Sequence, residues 1–172
     1  MPVVIADASP LVALSLIDRL HWLPELFGTV HVVQSVMHEV LTDRFAQSEQ
    51  NIRKAVANGW LEIVEHVPQV ALDVLSSELA SWMELDAGEA QSIAYAKGLQ
   101  HNALLLIDER AGRLVCSELG LATVGTAGIV RLAKEHQLIP LVKPELARLH
   151  EAGFWLTPAV TTSVLKQAGE LP

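Results

Sequence analysis

Five short apolar runs, each followed by a segment with a helical pattern, constrain the fold of this chain more than any other feature. The runs are VVIA (3–6), VHVV (30–33), WLEIV (60–64), ALLLI (103–107) and LATV (121–124). Near-continuous apolar strands that alternate with helices are typical of a parallel sheet with helices on both faces. Because such sheets bind ligands beyond the carboxyl ends of their strands, a site is expected at that edge.

The length and composition predict a single domain that spans residues 1–172. The chain contains no internal repeat and no linker rich enough in Gly, Pro or Ser to divide it. Hydrophobic residues make up 51% of the sequence and charged residues 19%, which is typical of a globular chain with a sizeable core. Residues 140–172 are expected to form a helical extension that packs on this domain or on a dimer mate.

Charge and cysteine content narrow the class of protein. No run is long and apolar enough for a membrane span, and Asp7 interrupts the apolar N-terminal run, so we expect neither a membrane segment nor a secretory signal. The single cysteine, Cys116, cannot form an internal disulfide, which favours a cytoplasmic location. A net charge of −8 argues against a wide, non-specific grip on nucleic acid. It leaves room for a nucleic-acid enzyme that uses a few local cations and a metal.

Two of the apolar runs lead directly into an aspartate, the first into Asp7 and the fourth into Asp108. Because the carboxyl ends of parallel strands meet at one edge of the sheet, these two side chains are expected to lie close together. The alternative is the commonest role of an aspartate after a strand, a helix N-cap or a turn residue. Against that role for Asp7, Ser9 occupies the better capping position, directly before Pro10.

Two glutamates on helices that connect these strands could join the aspartates. Glu39 lies in the helix after the second run, and Glu89 lies in LDAGEAQSIAYA, in the first turn of the helix that leads into the fourth run. Each has another interpretation. Glu39 could be a solvated helix residue, and Glu89 could form a capping box with Asp86. The set of four acids, rather than any one member, indicates a site.

The electrostatics of four clustered acids predict that protons or cations balance their charge. Two carboxylates ~5 Å apart repel each other by roughly 3 kcal/mol at an effective dielectric constant near 20. Six such pairs would cost on the order of 20 kcal/mol if nothing balanced them. Either some of the carboxyls hold protons or divalent cations lie between them. Hard oxygen ligands without cysteine or paired histidine favour Mg²⁺ or Mn²⁺ over Zn²⁺.

Motifs of other chemistries are missing from the sequence. It contains no GxxxxGK[ST], GxGxxG or GxSxG motif, and its histidines show no pair at metal-ligand spacing. A phosphohydrolase with an aspartyl nucleophile would carry a second acid two residues after Asp7, where Ser9 stands. A receiver domain would carry paired acids after the first strand and a lysine after the fifth. Both alternatives are therefore disfavoured.

With these acids in place, the sequence resembles the PIN-domain family of metal-dependent ribonucleases, and a compact prokaryotic subgroup of it that is similar to toxins of the VapC type. The resemblance covers nearly the whole chain. It implies a three-layer α/β/α sandwich around a parallel sheet of four or five strands. It also implies that the acidic metal cluster, with one or two Mg²⁺ or Mn²⁺ ions, consists of Asp7, Glu39, Glu89 and Asp108. The segments that carry the resemblance are VIADASPLVAL, SVMHEVL, LDAGEAQSIAYA, LLLIDERAGR, LGLATVGTAGIV and LARLHEAGFWL.

The resemblance also implies accessory groups around this cluster. Ser9 matches a hydroxyl position beside the first aspartate that holds a water at the metal, a role compatible with helix capping. Members of the family often carry a further acid or polar group near the C-terminal edge, for which Glu109 and Thr126 are the candidates here.

Two arginines just after Asp108 are candidates for guiding the substrate phosphate. Arg110 and Arg113 lie three residues apart, on one face of a predicted helix. The alternative is a surface ion pair with Glu109 or Glu118.

The resemblance, together with the acidic set, implies an endoribonuclease that hydrolyses RNA phosphodiester bonds and serves as the toxin of a toxin–antitoxin pair. It further implies a homodimer and a small antitoxin protein that occludes the site. The alternative is a catalytically silent regulatory or interaction module with the same fold. Aromatic residues are only 5% of the chain, which gives little support for a long base-stacking platform. The tryptophans are expected in the core or in a dimer interface, and they are Trp22, Trp60, Trp82 and Trp155.

Overall fold

The structure is a computed structural model. It describes residues 2–42, 46–99 and 102–172, and for Ala80 and Met83 it describes the backbone alone. The strands are β1 (Val3–Ala6), β2 (Val30–Val33), β3 (Leu61–Val64), β4 (Ala103–Leu106) and β5 (Ala122–Val124). A short 3-10 helix covers Ala80–Glu84. The α-helices are α1 (Ala8–Leu16), α2 (Trp22–Phe27), α3 (Gln34–Val40), α4 (Ala46–Ala57), α5 (Gln69–Glu78), α6 (Ala87–Gly98), α7 (Arg110–Glu118), α8 (Thr126–Glu135), α9 (Lys143–Glu151) and α10 (Pro158–Gln167).

The strands form one parallel sheet in the order β3-β2-β1-β4-β5. This arrangement confirms the predicted α/β sandwich around a parallel sheet, with five strands. The chain builds the sheet outward from β1 to β2 and β3 on one side, and then adds β4 and β5 on the other. The strand order therefore switches between β1 and β4, and a crevice forms beyond the carboxyl ends of neighbouring strands at such a switch.

Side chains on the strands alternate between two hydrophobic clusters, one on each face of the sheet. Val4 and Ala6 of β1 belong to the first cluster, and Ile5 between them belongs to the second. This alternation follows from the two-residue period of a strand. Helices α1–α4 and α8–α10 pack on the first face, whereas α5, the 3-10 helix, α6 and α7 pack on the second. Helix α3 also contacts α6, so the two layers meet beside the strand-end edge.

The C-terminal helices pack on the first face of the same chain. Leu146, Leu149, Val164 and Leu165 are buried in its cluster, and both α9 and α10 contact α8. Whether residues 1–172 behave as one domain stays a prediction. In the parts of the chain that the structure describes, every helix is too short or too polar to cross a bilayer.

Two of the tryptophans are core residues, as predicted, but Trp155 is not. Trp22 and Trp82 are 2% and 7% exposed, whereas Trp155 is 79% exposed. Trp155 lies in the segment between α9 and α10, where its neighbours Phe154 and Leu156 pack against the core cluster instead. Its other predicted environment, a dimer interface, stays a prediction.

Candidate functional site

The first two acids lie at the switch point of the sheet. Asp7 follows β1 directly, and its amide donates to the Leu106 carbonyl of β4 at 2.9 Å. Asp108 follows β4 after Ile107, whose amide donates to the Val124 carbonyl of β5 at 3.0 Å. The sheet register therefore brings both aspartates to the same edge, where ligands bind in folds of this class.

Asp7 holds the N-cap position of α1 but does not act as a cap. Its side chain makes no capping hydrogen bond, it is buried, and its Oδ1 has no hydrogen-bond partner. The prediction that Ser9 caps this helix is wrong, because α1 begins at Ala8 and Ser9 lies inside its first turn. The pKa of Asp7 is raised to about 7, chiefly by burial and in part by the charges of neighbouring acids, whereas the hydrogen bond with the Ala8 amide lowers it.

Glu89 combines both of its predicted roles in one side chain. Its Oε2 accepts from the Asp86 amide at 3.2 Å, and its own amide donates to Asp86 Oδ1 at 2.8 Å, which completes the capping box of α6. Its Oε1 is buried without a hydrogen-bond partner. Burial raises the pKa of the Glu89 carboxyl, and the charge of Asp86 also raises it. The cap thus leaves one carboxylate oxygen available to another ligand.

Glu39 and Asp86 approach each other across the α3–α6 contact. A Cβ added at Gly88 would lie 3.3 Å from both Glu39 Oε2 and Asp86 Oδ1. Burial raises the pKa of Glu39, and the charges of Asp86 and Glu109 raise it as well. The sequence indicated Asp86 only as a cap, so its place among the clustered acids was missed. The Asp-x-x-Glu spacing was the available signal.

Asp108 is held by Thr126, the first residue of α8. The Thr126 amide donates to Asp108 Oδ1 at 2.8 Å, and the Thr126 hydroxyl donates to Oδ2 at 2.6 Å. Burial nevertheless raises the pKa of Asp108, although both Thr126 bonds and the Arg113 guanidinium act in the opposite direction. The carboxylate of Asp108 therefore has a fixed orientation at the strand end.

The arginines do not form the surface ion pairs that were the alternative to phosphate guidance. In the described part of the chain neither Arg110 nor Arg113 pairs with Glu109 or Glu118, and Glu118 instead accepts from Ser81. Arg113 Nη1 donates to the Ile107 carbonyl at 3.3 Å. Arg110 is exposed at the start of α7.

Glu109 is exposed at the N-cap position of α7, where its side chain makes no capping hydrogen bond. Its charge contributes to the raised pKa values of Glu39, Glu89 and Asp108. Glu109 therefore lies near all three of these acids, on the exposed side of the cluster.

Two glycines permit the acids to approach the backbone, and sequence reasoning missed both. A Cβ at Gly112 would lie 2.6 Å from Glu89 Oε1 and 2.4 Å from Ile107 Cδ1. A Cβ at Gly125 would lie 2.8 Å from Asp108 Oδ1. Neither glycine position has space for a larger side chain unless the neighbouring acid moves. A glycine in the first turn of a predicted helix was the only signal for Gly112.

The carboxylate oxygens of these acids are suitable ligands for a divalent cation, although the acids do not form a complete metal-binding site. No group of three or more His, Cys, Asp or Glu is arranged to hold a metal ion within residues 2–42, 46–99 and 102–172. The buried oxygens of Asp7 and Glu89 that lack partners are hard donors of the kind that Mg²⁺ and Mn²⁺ prefer.

Comparison with known proteins identifies the family. A family model described as a PIN domain matches residues 3–170. A comparison with curated proteins gave no match. PIN domains are generally nucleases and usually use divalent metal ions. Because the match covers almost the whole chain, and the fold and the motifs agree with it, this protein belongs to the PIN-domain family.

Proposed function

We propose that this protein is a metal-dependent endoribonuclease that hydrolyses RNA phosphodiester bonds. PIN nucleases act on RNA. The observation that carries the proposal is the state of Asp7, a buried carboxyl whose Oδ1 has no partner and whose pKa is raised to about 7 among further acids. Concentrated acid at the switch point of a parallel sheet is a typical arrangement for a catalytic site.

The proposed metal ligands are the four acids predicted from the sequence, Asp7, Glu39, Glu89 and Asp108. Asp7 and Glu89 would each use the buried oxygen that lacks a partner. Asp108 would present a carboxylate that Thr126 already orients, so less side-chain freedom is lost on binding. When bound, Mg²⁺ or Mn²⁺ supplies Lewis-acid chemistry, which activates water and neutralises charge on the phosphoryl group.

The surrounding residues would position the substrate. The Arg113 guanidinium lies next to Asp108 and has donors beyond its bond to the Ile107 carbonyl, so it can contact a phosphate oxygen. Arg110 is exposed one residue beyond Glu109 and would add a second cation. Ser9, in the first turn of α1, is proposed to hold a water near Asp7. Glu109 and Thr126 are proposed as accessory groups of the same site.

The cellular role that we propose is the toxin of a toxin–antitoxin pair, acting in the cytoplasm. This role, a small antitoxin that occludes the site, and a homodimer are all supported by the resemblance to toxins of the VapC type. The single, buried Cys116 is consistent with a reducing compartment.

The test is RNA cleavage by the purified chain. Total tRNA is incubated with the protein and Mn²⁺ or Mg²⁺, with and without EDTA, beside an Asp7→Asn variant. We expect cleavage that stops with EDTA and falls by at least ~100-fold in the variant, because the substitution removes a buried anionic ligand. Cleavage that neither EDTA nor the substitution changes would contradict the proposal.

A catalytically silent PIN-fold module is the second candidate. The observation that favours it is the open arrangement of the acids, which do not form a preformed metal site in the described residues. The same experiment separates the two functions. A folded protein that cuts none of a broad set of RNAs with either metal would favour the silent module.

A further inference from the structure

A cavity of about 410 Å³ begins at the proposed active site and extends to the C-terminal segment. Asp108, Gly125 and Arg113 line this cavity together with Trp155 and Gln167. Its volume lies within the range of roughly 300–1,000 Å³ that is typical of ligand sites. The cavity is therefore a route by which a substrate that reaches Asp108 would also contact residues after α9.

Trp155 presents a large aromatic surface in the lining of this cavity. It is the most exposed of the large hydrophobic residues in the described part of the chain, at 79%. His150 packs against it at 4.5 Å between ring centroids with an interplanar angle of 83°, so the two rings meet edge to face. This contact holds the indole beside the cavity and leaves most of its surface available for another planar group.

Two arginines line the same cavity, although the chain as a whole is acidic. Arg113 lies next to Asp108, and Arg131 projects from α8. Arg131 forms an ion pair with Glu135 through Nη1. Because a guanidinium carries five N–H donors, this pair leaves others available to an anion. The cations therefore offset the acidic cluster along one side of the cavity, where a phosphate backbone would need them.

We propose that this cavity binds the single-stranded RNA that flanks the cleaved phosphate, with an unpaired base stacked on Trp155 and a backbone phosphate held by Arg131. The inference rests on the proposed function and deepens it, because it names two residues outside the acidic cluster, Trp155 and Arg131, that would bind the nucleotides next to the cleaved phosphate. A planar aromatic surface together with cations and a neighbouring acidic site matches nucleic acid better than an apolar protein segment. One exposed tryptophan is sufficient for a single stack, even in a chain poor in aromatic residues.

The test measures RNA binding apart from cleavage. A fluorescein-labelled single-stranded RNA of about twelve nucleotides of mixed sequence is titrated with the Asp7→Asn chain in Mg²⁺, and binding is followed by fluorescence anisotropy. The same RNA paired with its complement is the second probe. We expect the single strand to bind more tightly than the duplex, because a paired base cannot stack on the indole.

Variants at Trp155 separate stacking from apolar contact. Adding Trp155→Ala should raise the Kd for the single strand about tenfold to a hundredfold, and Trp155→Phe should retain most of the affinity. Trp155→Leu keeps apolar area without an aromatic face, so it should behave like Trp155→Ala. Wild-type affinity in Trp155→Leu, or in Trp155→Ala, would overturn the inference. A dimer that dissociates in Trp155→Ala with RNA affinity unchanged would assign the surface to a second copy instead.

The role of Arg131 is tested by the salt dependence of the Kd for RNA. A purely structural role of Arg131 would not change this dependence. Arg131→Gln should reduce the slope of log Kd against log salt concentration by about one, as expected for the loss of one phosphate contact. Arg53→Gln is the matched control, because Arg53 is exposed on α4 and does not line the cavity. An equal slope for both variants would overturn the role of Arg131.

The outcomes also separate this inference from the proposed function. Binding of the single strand that depends on Trp155, without cleavage by the wild-type chain, would support the cavity and contradict the nuclease. Cleavage by the wild-type chain with kcat/KM unchanged in Trp155→Ala would support the nuclease and contradict the cavity. Failure of the single strand to bind would overturn the inference.

Discussion

Thr126 holds both carboxylate oxygens of Asp108, with its amide 2.8 Å from Oδ1 and its hydroxyl 2.6 Å from Oδ2. The two residues are eighteen positions apart and meet because β4 and β5 are neighbouring strands. Thr126 is fully buried and Asp108 is half-buried, so the bonds are partly shielded from solvent. The relationship makes Thr126 a positioning residue for an acid of the proposed metal site.

Replacement of Thr126 by valine should weaken metal binding while the fold is retained. The substitution keeps the shape of the side chain and leaves Asp108 Oδ2 without the hydroxyl. We expect a loss of roughly 10- to 100-fold in Mn²⁺ affinity, as is usual when a residue that orients a ligand is removed. Thr126→Ser should retain the affinity. Isothermal titration calorimetry is the measurement, and equal affinity in wild type and Thr126→Val would contradict the positioning role.

Replacement of Gly112 by alanine should destabilise the protein. The new Cβ would lie 2.6 Å from Glu89 Oε1 and 2.4 Å from Ile107 Cδ1, so a buried side chain must move. We expect the free energy of unfolding to fall by about 1–3 kcal/mol in urea denaturation. Gly98→Ala is the control, because nothing lies within 4 Å of its added Cβ. That helical position should be neutral or gain up to about 1 kcal/mol, and equal effects of the two substitutions would contradict the close approach of Glu89.

The metal-free protein should lose stability as the pH rises. The pKa of Asp7 is raised from 3.8 to about 7, so the folded state binds more protons than the unfolded state between these values. The stabilisation is full below the lower pKa and is lost as pH rises through about 7, by at most ~1.4 kcal/mol per pH unit.

The check is urea denaturation in EDTA between about pH 5 and pH 8, with wild type beside Asp7→Asn. The wild-type chain should lose more stability over this interval than the variant does. Burial also raises the pKa values of Glu39, Glu89 and Asp108, so the variant should keep part of the dependence. The same pH dependence in both chains would show that Asp7 is not the buried acid described here.

Glu170 should anchor the C-terminal segment to its own chain. Its carboxylate accepts from Lys134 Nζ at 2.8 Å and from the amides of Val142 and Lys143 at 2.6 and 2.9 Å. Glu170→Ala should lower the free energy of unfolding by about 1–3 kcal/mol, since charged hydrogen bonds are lost. Glu151→Ala, an exposed change on α9, is the control. Thermal unfolding at several protein concentrations is the measurement, and no difference between the variants would contradict the anchor.

The three central strands β1, β2 and β4 could be predicted because their residues are mostly buried on both faces of the sheet, whereas the edge strands β3 and β5 are more exposed. ALLLI is apolar throughout and VHVV is apolar except for His31, and their limits lie within one residue of β4 and β2. The start of α1 could not be predicted by the same local reasoning. Ser9 followed by Pro10 is a strong capping signal, yet β1 passes into the helix at Ala8. Pro10 is tolerated inside the first turn, because the first amides of a helix have no partner within it.

The sequence predicted which acids form the candidate site, but it did not predict the contacts and distances between them. Strand-end position was sufficient for Asp7 and Asp108, because neighbouring parallel strands end at one edge. The place of Asp86, the close approach of Gly112 to Glu89, and the exposure of Trp155 depend on distances between elements far apart in the chain. Hydrophobic periodicity carries no information on such distances.

The most direct test of the metal site is a crystal structure of the protein grown with Mn²⁺, with anomalous differences measured at the manganese edge. We predict one or two peaks bounded by the carboxylates of Asp7, Glu39, Glu89 and Asp108, and their loss in Asp7→Asn. Ordered carboxylates with no peak between them, or peaks only at other acids of the surface, would contradict the metal site on which the proposed function depends.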